Sequence, residues 1–409
     1  MCTWRRLGLL LLLVIGTPAG AQAQWLPEGP ITAARGTVTV AGEATVTVGG
    51  RDDSAFFNYT DYEHNALRML RVSISGMWRP AARLAFLTEL RSEDAQRVIP
   101  YAMYVRVRPW KGRALDVQAG RIPPVFGAFA RRSYGSDNPL IGYPLAYQYL
   151  TSIRPDAVPF TADDLLAMRA RGWRVTYPVG VTTPGPGVPL VSAYRWDTGV
   201  QASGTAGPVE AAFAITSGTL SNPRVTDDNG GRQLSARIAW KPVVGLVVGG
   251  SAARGQFLIT TVETAVAEVT GRHGHTQRAL GLDAEYSRAY WIVRGELIDS
   301  RWDLPGLAPP LIDGPVQARA AYIETRYRFT PRFFAAARAD HLTFSTIRGQ
   351  RRFAGQPTPW DSPVTRIEAG GGVYLQRNLT VRLVAQHNWR DAGQVRNRTY
   401  VSAQLAYWF

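Results

Sequence analysis

From Gly36 to the carboxy terminus the dominant period of the sequence is two residues, the mark of extended chain with one oily and one polar face. In the first such segment Val38, Val40, Ala44, Val46 and Val48 share one parity, while Thr37, Thr39, Glu43, Thr45 and Thr47 share the other. Leu70, Val72, Ile74 and Trp78 likewise alternate with Arg71, Ser73 and Ser75. The count predicts sixteen strands, near 36–48, 66–79, 82–92, 98–109, 113–121, 190–203, 208–217, 232–241, 245–257, 276–287, 290–301, 317–329, 332–346, 363–376, 379–390 and 397–409. An all-β chain follows, because helical spacing fits these runs poorly.

After the first strand, long and very short connections alternate. Long links lie at 50–65, 122–189, 218–231, 258–275, 302–316 and 347–362, with shorter members of the set at 93–97 and 391–396. Between them fall tight turns such as Arg79-Pro80-Ala81, Lys241-Pro242-Val243 and Arg377-Asn378, rich in turn-forming residues. All long loops then leave one rim, and an even strand number puts both ends of the sheet on the turn rim. Strands of roughly 11 residues match a tilted bilayer crossing. Trp78, Trp110, Trp240, Trp291, Phe329 and Phe333 fall near the short turns, as an interfacial girdle would. Hydrocarbon offers no backbone partners, so the sheet must close, 36–48 against 397–409. The expected fold is a transmembrane antiparallel β-barrel of about 16 strands. A soluble sandwich or propeller has similar turn spacing, but its apolar face would be a core, a poor match for so charged an opposite face on so many strands.

Residues 1–23 read as a secretory signal: Arg5 and Arg6, an apolar run from Leu7 to Ile15, and Ala21-Gln22-Ala23 before the cut. The barrel is then expected over 24–409. No later stretch has the 18 apolar residues of a membrane helix. Cys2, the one cysteine, leaves with the signal, so no disulfide is expected. The formal charge of +15 is almost wholly arginine, since Lys111 and Lys241 are the only lysines. Those arginines are spread over strands, and with export this argues against nucleic acid as a partner.

The last strand carries the first family likeness. Val401, Ala403, Leu405, Tyr407 and Phe409 alternate and end on an aromatic residue, which resembles the carboxy-terminal assembly signal of Gram-negative outer-membrane barrels. With 16 strands the whole chain is similar to porins. That resemblance implies the outer membrane as location, its lipid and the barrel assembly machinery as partners, Tyr407 and Phe409 as the residues that machinery reads, and a homotrimer. A weaker likeness joins Gly120-Arg121-Ile122-Pro123-Pro124-Val125-Phe126-Gly127 to the Gly-x-x-x-x-Pro-Phe-Gly segment of porins related to the phosphate-selective group. Val125 interrupts that motif and the pore lysines of that group are missing, so only the architecture is carried over.

The longest link, 122–189, is expected to fold inward as a constriction loop and to carry a short helix. Thr161 would cap that helix, with Asp163 and Asp164 in its first turn, Leu165, Leu166 and Met168 on an apolar stripe, and Gly172 beyond its end. Charges at mid-bilayer on the lipid side cost roughly 2–4 kcal/mol each, so the strand parity that collects them on one face marks a wet lumen. The candidate pore-lining residues are Arg71, Arg106, Arg237, Arg294, Arg326, Arg338, Arg366 and Arg382 with Glu89, Asp116, Glu296, Glu324 and Glu368. In the loop they are Arg131, Arg132, Asp137, Arg154, Asp156, Asp163 and Asp164. The arginine excess predicts passive diffusion of small anionic or neutral solutes with a modest preference for anions.

No enzyme, metal or cofactor is expected. His387 has lipid-side parity while Ser402 on the neighbouring strand points inward, so a phospholipase-type pair is not assembled. His273-Gly274-His275 has no third ligand nearby in sequence. The alternatives are a barrel whose loops serve adhesion or surface interaction, and a barrel enzyme of the phospholipase type.

Overall fold

A computed structural model describes residues 27–52, 55–59, 64–110, 112 and 114–409. The expected signal segment, 1–23, lies outside the described residues. Sixteen antiparallel strands run in chain order as β1 (Val38–Gly49), β2 (Leu70–Ala81), β3 (Leu84–Glu93), β4 (Val98–Val107), β5 (Leu115–Ile122), β6 (Asp197–Ala206), β7 (Val209–Thr216), β8 (Gln233–Trp240), β9 (Leu246–Gln256), β10 (Thr276–Arg288), β11 (Trp291–Trp302), β12 (Val316–Arg328), β13 (Phe333–Phe344), β14 (Val364–Gln376), β15 (Leu379–Arg390) and β16 (Asn397–Trp408). Each pairs with its sequence neighbours, and β1 pairs with β16 in the register Val46↔Leu405, so the barrel has no open edge.

The closing seam explains the aromatic end. Gly42 and Phe409 exchange backbone hydrogen bonds of 3.1 and 2.9 Å. A Cβ on Gly42 would lie 2.6 Å from the Phe409 ring, so a larger residue there would push the ring from its place. Tyr407 donates its hydroxyl to Pro27 O at 2.7 Å. The ends of the sheet sit on the turn rim, as the even strand count requires.

Parity is preserved around the barrel. Leu280, Leu282, Ile323 and Leu383 point outward and are about 60% exposed, whereas Arg338 and Arg366 on the other face are fully buried. The outer surface is an apolar band, and the six expected girdle aromatics, from Trp78 to Phe333, are exposed at its turn rim. On β4 a bulge leaves Tyr101 unpaired between the pairs Glu89↔Ala102 and Leu90↔Pro100. Pro100 has no N–H to give the ladder, and the bulge puts both Tyr101 and Ala102 out of contact with solvent.

Two expectations are corrected. The strand expected at 190–203 begins only at Asp197. Leu190, Val191, Ala193 and Tyr194 belong to the long loop and pack into its apolar core, where alternation carries no meaning. The link at 258–275, read as plain loop, carries the helix Thr260–Thr270; Val262 and Val266, one turn apart, are its buried contacts, and Gly271 ends it at φ +66°.

Residues 123–196 enter the barrel. They hold a short helix at Leu145–Gln148 and the expected one at Ala162–Ala167, where Thr161 and Asp164 form a reciprocal capping box. Phe126, Phe129, Tyr147, Leu165, Val175 and Tyr194 belong to one apolar core that the loop shares with inward wall residues such as Ala279 and Ile298, which makes it a packed body rather than a strap.

Candidate functional site

An irregular segment held away from bulk water must find partners for its own N–H and C=O groups. The charged wall supplies them. The Gly142 and Ile141 amides donate to Glu368 at 2.7 and 3.2 Å, the Gly135 and Ser136 amides to Glu43 at 2.8 and 2.9 Å, and the Ala128 amide to Glu296 at 3.0 Å. Arg366 donates to Tyr143 O and to Gln148 at 3.0 Å each, and Arg382 to Gly135 O. Loop hydroxyls join in: Tyr134 donates to Glu89 and Tyr147 to Glu296, both at 2.7 Å. Arg71 donates to the Tyr143 hydroxyl at 2.6 Å while holding Glu93 with two bonds.

Arg338 is the hub of this contact. Its guanidinium reaches Asp340 at 3.1 Å, Glu324 at 3.2 Å, Glu368 at 2.6 Å and the loop carbonyl of Gly142 at 2.8 Å. A lone buried ion would be strongly unfavourable, and single charge-assisted bonds to three carboxylates and a carbonyl are what make the burial tolerable. Gly127 permits the close approach nearby: at φ +73° its Cβ position lies 2.4 Å from the Tyr147 hydroxyl and 2.6 Å from Glu296.

The expected wet lumen is therefore only part of the interior. Arg71, Arg338, Arg366, Arg382, Glu89, Glu296, Glu324 and Glu368 face inward as parity requires, but each is less than one tenth exposed because the loop sheathes it. The gaps left between loop and wall near Arg71 and near Asp197 are only about 20 and 30 Å³. Arg154 and Asp156 pair with each other, Asp163 accepts the backbone amides of Gln350, Arg351 and Arg352, and Asp164 caps its helix, so these four loop candidates serve the fold of the loops.

Toward the turn rim the lumen opens. A cavity of about 330 Å³ is lined by Arg108, Asp116, Arg131, Glu210 and Arg237 with Ser203 and Thr205. Several of its charges are paired: Arg108 with Asp116 at 2.9 Å and Arg237 with Asp283, and beyond it Arg294 and Arg132 with Glu285. Arg131 on the cavity, and Arg106, Arg326 and Arg328 on the wall outside its lining, have no carboxylate within 4 Å among the described residues. Arg131 donates only to Pro124 O at 2.9 Å, Arg106 only reaches the Met77 sulfur at 4.0 Å, Arg326 leaves its Nε unbonded, and Arg328 stacks over the Tyr374 ring. Asp137 is exposed here too. The surplus of unneutralised charge in the open lumen is thus positive.

Tyr143, Tyr147 and Gln148 were not among the sequence candidates. The packed Pro139–Tyr149 stretch was the only signal, and it marks compactness rather than contact with the wall. His387 bonds Thr399 and packs on Trp389 at 4.1 Å on the outer face, while Ser402 is buried inside. His275 lies on Glu263 of the 260–270 helix at 3.1 Å.

No family model and no curated protein matches the sequence. Solved structures do match in fold. An anion-selective porin from Comamonas acidovorans superposes with a TM-score of 0.52 at 13% identity, over 91% of this chain and 99% of that one. OmpF from Salmonella typhi in complex with daunomycin gives 0.53 at 11% over 91% and 97%. OmpT, an outer membrane protein of Vibrio cholerae, gives 0.53 at 9% over 91% and 98%. At these identities the likeness is one of architecture: the chain is a closed 16-stranded antiparallel β-barrel with the fold of the outer-membrane porins.

Proposed function

We propose that this chain is an outer-membrane pore that lets small hydrophilic solutes diffuse passively, with a modest preference for anions and without catalysing a reaction. The single observation that carries the preference is Arg131, which lines the open cavity with no carboxylate within 4 Å, while Arg106 and Arg326 on the inner wall beyond that cavity are likewise without an ion pair. Fixed positive charge in a low-dielectric wall raises the local concentration of anions and lowers that of cations. The long-loop rim faces outward from the cell and both chain ends face the periplasm, after export by the 1–23 signal. Tyr407 and Phe409 are what the barrel assembly machinery reads. A trimer is the proposed assembly; one of the similar structures, OmpT of Vibrio cholerae, has a trimer form.

Planar-bilayer recording of the purified barrel under a salt gradient tests this. Discrete conductance steps with a reversal potential of the sign set by anions are expected. Conductance with cation preference would remove the arginine argument and leave the pore; a folded, inserted barrel that never conducts would remove the pore and favour loop-borne adhesion.

A further inference from the structure

On the lipid face, β9 to β12 carry a row of arginines at the long-loop rim. Arg254 stands directly opposite Arg278, and Arg278 directly opposite Arg301. One strand further, Arg319 stands opposite Asp299. All four arginines point outward and are exposed. Asp299 is the only acid within the row; it holds Arg301 at 3.0 Å and Arg319 at 2.9 Å. Arg254 and Arg278 have no acidic partner among the described residues, although like charges facing each other across a ladder repel. An anion placed over the two guanidinium groups would relieve that repulsion.

Directly below this row the surface is hollow. A groove of about 450 Å³ runs toward mid-barrel between Phe213, Leu234 and Leu280, with Arg254, Arg278 and Arg301 at its head. Its depth comes from small residues on two neighbouring strands: Ala236 faces Ala252, and Phe213 lies opposite Ala236. Cationic head and oily groove share one face, in the order in which a lipid presents its phosphate and its chains.

We propose that this face is a binding site for a phospholipid of net negative charge in the leaflet at the long-loop rim, its phosphate bridging Arg254 and Arg278 and one acyl chain lying in the groove over Ala236 and Ala252. The site rests on the reading that the chain spans a membrane, not on whether it conducts. Guanidinium groups bind phosphate bidentately and juxtamembrane arginines are drawn to anionic lipid, so a pair with a matched groove gives selectivity over a zwitterionic lipid.

The test is native mass spectrometry of the purified barrel in zwitterionic detergent with phosphatidic acid or phosphatidylcholine of identical chains. Wild type is expected to retain phosphatidic acid at least tenfold better. R254Q/R278Q is expected to lose that preference, and A252F, which fills the groove with the arginines intact, to weaken retention severalfold. Should the double variant fail to fold, A252F alone decides. Equal retention of the two lipids by wild type overturns the site; so does competition by inorganic phosphate together with an indifferent A252F, which would mark a free-anion site. A change of oligomeric state in R254Q/R278Q assigns the face to a second copy and also overturns it. A barrel that takes up no lipid of either kind and stays soluble without detergent would instead overturn the membrane reading itself.

Discussion

Arg338 and Glu368 stand opposite each other on β13 and β14, 2.6 Å apart, and together they grip one residue of the inserted loop: Arg338 donates to Gly142 O and Glu368 accepts from Gly142 N. Both side chains are fully buried. The wall thus holds its own loop, and the charges that parity assigned to the lumen divide into those that hold the loop and those left to meet solute.

Removing one member of that pair strands the other in a dry site. Replacing Arg338 by Ala is expected to cost about 3–5 kcal/mol, the range for breaking a buried pair, and E368Q somewhat less because the amide still accepts. The thermal unfolding midpoint in detergent should fall in both. If the loop narrows the lumen, single-channel conductance in R338A should rise and become noisier; an unchanged conductance with a lowered midpoint would show that the loop closes nothing.

Substitutions at the open end of the lumen should separate selectivity from stability. R106E and R131E replace cations that hold no carboxylate, so the unfolding midpoint should move little while the reversal potential shifts toward cation preference. R366E, aimed at a sheathed arginine, is expected to do the opposite: a large loss of stability with no clean change of selectivity. The contrast is read by measuring both quantities on the same preparations.

Asp163 ties the inserted loop to the 347–362 loop through backbone amides of Gln350, Arg351 and Arg352. Burial is the largest single influence and opposes its charge, but the three amide bonds and Arg351 together outweigh it and hold its carboxyl below the usual carboxylate range. A depressed acid contributes stability that is present above its unfolded value and is lost as pH falls through the folded one. D163A is therefore expected to speed proteolytic cutting of the 347–362 loop severalfold at pH 7, and wild type should approach the variant only in strong acid. Equal cutting rates at neutral pH would refute the tie.

The barrel was legible because each strand meets lipid on one face, which forces a period of two that loops and cores do not share. Where that pressure ends, legibility ends. The run from Leu190 to Trp196 alternates well enough to read as strand, yet Tyr194 and Leu190 pack inside the loop. The helix at 260–270 is rich in Thr and Val, residues that favour strands, and its buried stripe is only Val262 and Val266. Parity told which way Arg338 points but not that Gly142, 196 residues away, covers it. Likewise Arg254 and Arg278 are visible as outward residues, but their juxtaposition depends on the register between two strands, which no local pattern reveals.

One acid at the long-loop rim should show its burial in a pH series. Asp52 is 1% exposed and accepts from the Asn58 amide at 2.7 Å and from the Tyr400 hydroxyl. Burial pushes its carboxyl up to about 6 from 3.8, against the lowering effect of those two bonds and of Arg366. A raised acid binds its proton more tightly folded than unfolded, so its contribution is full below about pH 4 and declines as pH rises to about 6. Over that window the loss is on the order of 3 kcal/mol for a group this buried. D52N fixes the neutral state and is expected to remove the dependence, leaving the variant more stable than wild type at pH 8 and no more stable at pH 4. Hydrogen exchange at the Asn58 amide reads the effect locally, and a wild-type profile as flat between pH 4 and 6 as that of D52N would rule the buried charge out.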